Sequence, residues 1–298
     1  MGKIGRGWQL MKMSLSVVRS DKELLIFPIL SMILSVVIIL SFLGVTFLTV
    51  GVGGFFTPAA LAMFFIMYLV LYFFVIYFNV AVVGCAMIRY EGGDPTVGDG
   101  FRTANKKIGA IFKWAMVSAT VGLILKAIEQ RAGLFGKIAA FVGGVTWSIA
   151  TYLILPVLVF ENAGVFGSVR RSVGILRKTW GEAFIGGLSF ALIFFLLGFL
   201  GLIPIFLGFY VGGLTGIIVG FAIALVYWLG LAAVASVAKT AFITALYRYA
   251  TTGKVAPGFS PESITDPWMG APLPDTPTFE TGPEPVPAES KPKAESDW

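Results

Sequence analysis

The longest uncharged stretch of this sequence constrains its fold more than any other feature. Residues 24–50 contain no Asp, Glu, Lys or Arg over 27 positions. A helix needs about 20 apolar residues to cross the hydrocarbon core of a bilayer. Charged residues are only 13% of the chain and its mean hydropathy is +0.88, whereas about a quarter of a soluble domain is charged. We therefore predict an all-α, polytopic membrane protein.

Further apolar runs predict six transmembrane helices arranged as three hairpins. The predicted spans cover about residues 24–50, 58–88, 109–125, 138–160, 183–209 and 211–247. The last run has 37 residues, so we expect its end, near Lys239 and Arg248, to project beyond the membrane. Residues 1–254 would then form one membrane domain. Residues 255–298 hold 10 of the 15 prolines among polar residues, which predicts a disordered cytoplasmic tail.

A cationic amphipathic helix is predicted before each hairpin. The first lies within residues 1–23, and the second begins where Thr96 can cap a helix together with Asp99. The third lies within 161–180, and its apolar stripe comprises Val165, Phe166, Val169, Val173, Leu176 and Trp180. Helices of this kind lie on membrane surfaces with their cations near lipid phosphates. The cations predicted to bind anionic headgroups are Arg170, Arg171, Arg177, Lys178, Arg102, Lys106 and Lys107.

The distribution of cations predicts the orientation. Fifteen Lys and Arg residues flank one side of the six spans and three flank the other. The positive-inside rule places both termini and the three surface helices in the cytoplasm, on the inner face of the cell membrane. The recurring unit of surface helix and hairpin suggests a threefold pseudo-repeat, although any six-span chain has three such connections. Because the cations sit at span ends, anionic lipid is favoured over nucleic acid as the partner.

Four polar or small-residue features within the spans each allow two interpretations. Gly212, Gly216, Gly220 and Ala224 form a small-residue row for close helix packing, within the chain or in a homo-oligomer. Asn79 faces a helix interface or an aqueous path. Glu161 is predicted to pair with Arg170 or Arg171 as a structural brace. Lys239 either snorkels to the interface or has a functional role.

Catalytic signatures are missing from the sequence. There is no histidine, and Cys85 is the one cysteine, which excludes His-based catalysis, an intrachain disulfide and a cysteine metal site. No nucleophile or phosphate-loop motif occurs. The predicted spans hold no Asp or Glu, which argues against an ion-coupled pump. We therefore expect a non-catalytic scaffold that binds lipid or a protein partner and has no cofactor. The alternative is a small-molecule or lipid transporter.

Two segments resemble a known family of uncharacterised prokaryotic six-helix membrane proteins. Residues 150–184 carry Pro156, Glu161, Ser172 and Trp180, and residues 1–31 carry Trp8, Arg19, Glu23, Leu24, Pro28 and Ser31. A more distant similarity is to the membrane domain attached to some bacterial glycerophosphodiester phosphodiesterases, whose catalytic barrel is absent from this sequence. The resemblance implies the six-span topology and implies no function.

Overall fold

The structure is a computed structural model that describes residues 3–51, 57–131, 133–161, 163–178 and 191–257. Within these ranges the regular elements are helices and no strand occurs, so the predicted all-α class is confirmed. In chain order the helices are α1 (Lys3–Ser20), α2 (Ile26–Val50), α3 (Pro58–Tyr90), α4 (Val97–Lys106), α5 (Ile108–Arg131), α6 (Gly133–Ala150), α7 (Ile154–Phe160), α8 (Gly164–Lys178), α9 (residues 191–200) and α10 (Ile203–Thr252). The predicted tail from residue 258 onward, Trp180 and the side chain of Lys178 lie outside the described part of the chain.

Five stretches are long and apolar enough to cross a membrane. They are Lys22–Thr49, Pro58–Tyr90, Ile108–Arg131, Gly133–Phe160 and Ala191–Thr252. Helices of this length and composition indicate a multi-pass membrane protein. The number differs from the six spans predicted, because the sixth and the described part of the fifth fall within the single stretch Ala191–Thr252, which is 62 residues long. Residues 183–190 of the predicted fifth span lie outside the described residues.

The backbone reverses direction inside this last stretch. Gly213, within α10, has φ 57° and ψ −138°, a conformation that residues with a side chain rarely adopt. Across this turn, the Tyr227 hydroxyl donates a hydrogen bond to the Leu197 carbonyl at 2.7 Å. Residues 191–212 therefore run antiparallel to the part of α10 that follows Gly213.

The third and fourth predicted spans differ from the observed helices at their ends. α5 continues past residue 125 to Arg131, and Lys126 and Glu129 form an ion pair of 3.0 Å along its surface. The chain then turns at Gly133, which has φ 54°. The predicted span 138–160 is two helices, α6 and α7, because a turn at residues 151–153 interrupts it.

The buried core lies at one end of the helices. The largest fully buried side chains there include Phe27 at the start of α2, Tyr90 at the end of α3, and Phe242 and Tyr247 near the end of α10. The Tyr90 hydroxyl donates to the Ala241 carbonyl at 2.9 Å, which joins α3 to α10. Farther along the same helices, large apolar side chains are exposed, a pattern expected of surfaces that face lipid.

Candidate functional site

A buried polar cluster lies where α7, α8 and α10 meet. Glu161 directly follows α7, is 9% exposed, and forms an ion pair with Arg171 of α8 at 2.9 Å. The Tyr247 hydroxyl of α10 donates to Glu161 Oε1 at 3.1 Å. Phe160 stacks on the Tyr247 ring with centroids 5.9 Å apart. One carboxylate therefore ties three helices together.

The face of α8 turned toward the protein coincides only in part with the predicted apolar stripe. Its buried residues include Ser168, Ser172, Ile175 and Leu176. The Ser172 hydroxyl accepts a hydrogen bond from the Leu153 N–H at 3.2 Å, and so satisfies a backbone donor at the start of α7. Of the stripe predicted to enter the membrane, Leu176 is buried inside the protein, and Val165 and Val169 pack against the core, because α8 lies against α6, α7 and α10.

Arg171 is separated from the other predicted headgroup ligands on α8. It points toward Glu161 and is 20% exposed, and its Nη2 atom is buried without a hydrogen-bond partner in the described part of the chain. Arg170 and Arg177 are exposed on the opposite face, and Phe166 beside them is 78% exposed. The outward face of α8 therefore combines two cations with an exposed aromatic ring.

A second buried ion pair joins the start of α2 to the end of α3. Asp21 is 6% exposed and accepts from Arg89 Nε at 2.6 Å. The same guanidinium also pairs with Asp94, whose side chain is 91% exposed. Asp21 precedes the 3₁₀ turn Lys22–Leu25 that leads into α2. This pair therefore ties the junction of α1 and α2 to the end of α3.

The predicted cap of α4 is present. The Thr96 hydroxyl accepts from the Asp99 N–H at 3.3 Å, while Asp99 Oδ2 accepts from the Thr96 N–H at 3.0 Å. The Thr96 hydroxyl also donates to Asp99 Oδ2 at 2.6 Å. The bonds from the Thr96 hydroxyl and N–H, with the nearby Arg102 charge, lower the pKa of Asp99. Arg102 and Lys106 are exposed along this helix, and Lys107 is half-buried at its end.

Asn79 lies at an interface between helices. Its Oδ1 atom accepts from Ser236 at 3.4 Å and from Thr240 at 3.3 Å, both on α10. Its Nδ2 atom donates to the Val75 carbonyl one turn earlier in α3 at 2.8 Å. Beside it lies a cavity of about 100 Å³ between α2, α3 and α10, lined by Pro28, Ser31, Met32, Val75, Phe78, Asn79, Val82 and Ser236.

The small-residue row lies along the hairpin of α9 and α10. A Cβ atom at Gly216 would overlap the Gly208 carbonyl, and one at Gly220 would overlap the Pro204 carbonyl. Ala224 is fully buried, whereas Gly212 has no neighbouring atom within 4 Å of an added Cβ. Three members of the row therefore lie at a contact within the chain, and Gly212 lies beyond it.

Sequence reasoning missed several partners in these clusters. It named Glu161 and Asn79, but it did not identify Tyr247 or the Asp21 and Arg89 pair. Asp21 could have been found, because a carboxylate directly before an apolar span needs a partner when it is buried. No local signal marks Tyr247, since its partner lies 86 residues away.

The described residues hold no group of three His, Cys, Asp or Glu residues that could bind a metal ion. Cys85 is buried among apolar side chains. The polar clusters described above are ion pairs and hydrogen bonds between helices, and among their residues there is no nucleophile paired with a base. Together with the five long apolar helices, they define a multi-pass membrane protein with polar contacts concentrated at one end of its helices.

This chain belongs to a family of unknown function, DUF6159, whose model matches residues 58–258, about two thirds of the chain. The match includes the segment around Glu161 and leaves out residues 1–31, so the predicted family resemblance is confirmed for the matched part alone. No curated protein and no solved structure matches the chain. Nothing links it to the membrane domains attached to glycerophosphodiester phosphodiesterases.

Proposed function

We propose that this protein is a non-catalytic, six-span scaffold of the cell membrane that binds anionic lipid at a cationic cytoplasmic end. The six spans are Lys22–Thr49, Pro58–Tyr90, Ile108–Arg131, Gly133–Phe160 and the two arms of Ala191–Thr252 on either side of Gly213. Each arm exceeds the roughly 20 residues that a crossing requires. An even number of crossings brings both termini to one side.

One observation carries the proposal: exposed cations accompany an exposed aromatic ring at the packed end of the helices. Arg170 and Arg177 are exposed with Phe166 on the outward face of α8, and Arg102 of α4 is 70% exposed. Aromatic and cationic side chains together are typical of helices at a membrane interface. Each cation near an anionic surface contributes about 1 kcal/mol.

The second candidate function, transport, draws support from the cavity beside Asn79. A transport path needs polar walls that continue across the membrane. On the cytoplasmic side of this cavity, however, α3 is buried from Val80 to Met87, and Phe27 and Phe242 fill the space between the helices. This packing supports the scaffold over the transporter.

Lipid analysis of the purified protein tests the proposal. The full chain is extracted in native lipid particles, and the co-purifying lipids are identified by mass spectrometry. We expect anionic phospholipids to be enriched over the surrounding membrane. The double variant Arg170→Gln and Arg177→Gln should reduce that enrichment. The control is the double variant Lys126→Gln and Arg131→Gln, near the C-terminal end of α5 and away from the packed end of the helices, which should leave the enrichment unchanged. Equal lipid composition in all three samples would contradict the proposal.

A further inference from the structure

Asn79 lines the cavity and carries a hydrogen-bond donor that the described residues leave unused. The Asn79 amide has two N–H donors, and one of them bonds the Val75 carbonyl. In the described residues the other has no partner. An unsatisfied amide donor within a membrane is unfavourable, so a ligand with a hydrogen-bond acceptor would be favoured there. Ser31 and Ser236 place two hydroxyl groups in the same wall.

The cavity lies at the margin of the exposed apolar surface. On α2, the exposed large apolar side chains begin with Ile26. On α3 and α10, the last of them before the buried core are Val75 and Leu229. Asn79 and Ser236 each lie about one to two turns past those limits. The glycerol and ester groups of phospholipids occupy this boundary between hydrocarbon and headgroups.

Lys239 lies three residues after Ser236, a wall residue of the cavity, on α10. Along α10 it is the one exposed residue between Val237 and Thr251, a stretch that the structure describes in full. At about 100° per residue it lies roughly 60° around the helix from Ser236, on the side away from Thr240. Thr240 contacts Asn79 of α3, so Lys239 points past the cavity toward the lipid-exposed side. An ammonium at this depth is stabilised by a phosphate.

We propose that this cavity binds the glycerol-ester region of one anionic glycerophospholipid, with an ester carbonyl accepting from Asn79 and the phosphate lying against Lys239. The acyl chains then lie along the exposed apolar face that includes Ala232 and Leu229. This site rests on the membrane-spanning part of the proposed function and is independent of the cations on α4 and α8.

Native mass spectrometry of the full chain with added dioleoyl phosphatidylglycerol or dioleoyl phosphatidylcholine tests the site. We expect one phosphatidylglycerol to be retained most tightly, and millimolar inorganic phosphate to leave it in place. Lys239→Gln should weaken that binding about fivefold and leave phosphatidylcholine binding unchanged. Lys254→Gln, an exposed cation at the same end, is the matched control and should have no effect on the tight site.

A second variant tests the cavity itself. Ser31→Leu fills it and should reduce retention of both lipids at least tenfold, whereas Ser41→Leu adds the same bulk at an exposed position on α2. The thermal stability of each variant is measured as well. If Ser31→Leu does not fold, the result for Lys239→Gln decides the test. Unchanged retention in Lys239→Gln, or displacement by phosphate alone, overturns the site. The double variant Arg170→Gln and Arg177→Gln distinguishes this site from lipid binding at the α8 surface. It should lose weakly bound lipid and retain the one tightly bound lipid.

Discussion

Glu161 and Arg171 form an ion pair of 2.9 Å that links the end of α7 to the inward face of α8. The pair is largely buried, and Tyr247 adds a third helix to it. Each group therefore depends on the others for its hydrogen bonds, because the cluster has little contact with water.

Loss of either member of this pair should destabilise the fold. Glu161→Gln leaves the Arg171 charge without a carboxylate, and Arg171→Gln leaves Glu161 with the Tyr247 hydroxyl alone. Removing one partner of a buried pair costs about 3–5 kcal/mol, and partial exposure here reduces that to about 2–3. Thermal unfolding in a neutral detergent measures the loss. Arg170→Gln, one residue earlier and exposed, is the control and should change stability by less than about 0.5 kcal/mol.

Arg89 offers an internal comparison between a buried and an exposed carboxylate. Asp21 is 6% exposed and Asp94 is 91% exposed, and both pair with the same guanidinium. Asp21→Asn should lower the free energy of unfolding by about 1–3 kcal/mol, whereas Asp94→Asn should lower it by less than about 1. Chemical unfolding measures both losses, and similar values for the two substitutions would show that burial does not determine the contribution of each carboxylate.

The capping box of α4 predicts a dependence of stability on pH. The pKa of Asp99 is lowered in the folded protein, so its carboxylate contributes stability above its unfolded pKa, about 3.9, and that contribution is lost as the pH falls through the lower folded value. Asp99→Asn should cost about 1 kcal/mol at pH 7 and progressively less below pH 4. Unfolding of both proteins across this range is the measurement. A difference that stays constant down to pH 2 would rule out the charge as the cause.

Some of this architecture could be predicted from the sequence, and the reasons are local. Thr96 and Asp99 lie three residues apart, so their mutual bonds follow from helix geometry alone. The apolar runs predict helices long enough to cross a bilayer because length and hydropathy suffice for that inference. The inward face of α8 could be predicted only in part. Glu161 is expected from the sequence to pair with Arg170 or Arg171, but the choice of Arg171 depends on the tertiary fold, as does the bond between Ser172 and Leu153. The predicted stripe coincides with the inward face only in part, because Leu176 is buried and Val165 packs against the core, whereas Phe166 is 78% exposed.

The glycines of the last hairpin predict a difference between two faces of one helix. Leucine at Gly216 or Gly220 would force the two arms apart, because the carbonyls of Gly208 and Pro204 occupy the space of the new side chain. We expect both variants to reduce the yield of folded protein by severalfold. Ile218→Leu, at a position 62% exposed, should leave the yield unchanged. Size-exclusion chromatography of the detergent extracts gives the yield, and equal yields for all three would place the row outside a helix contact.

The central claim is that the chain crosses the membrane six times with both termini in the cytoplasm. The most direct test is to measure, in intact cells, whether an impermeant thiol reagent reaches cysteines introduced at the ends of the helices. In a Cys85→Ala background, single cysteines are placed at exposed positions at the ends of the helices, namely Ala59, Gln130, Gly212, Gly98, Gly174 and Lys254. The account predicts that the reagent labels positions 59, 130 and 212 from outside and labels 98, 174 and 254 only after the cells are opened. Labelling of Lys254→Cys from outside, with protection of Gly212→Cys, would contradict the account, because the stretch Ala191–Thr252 would then cross the membrane once.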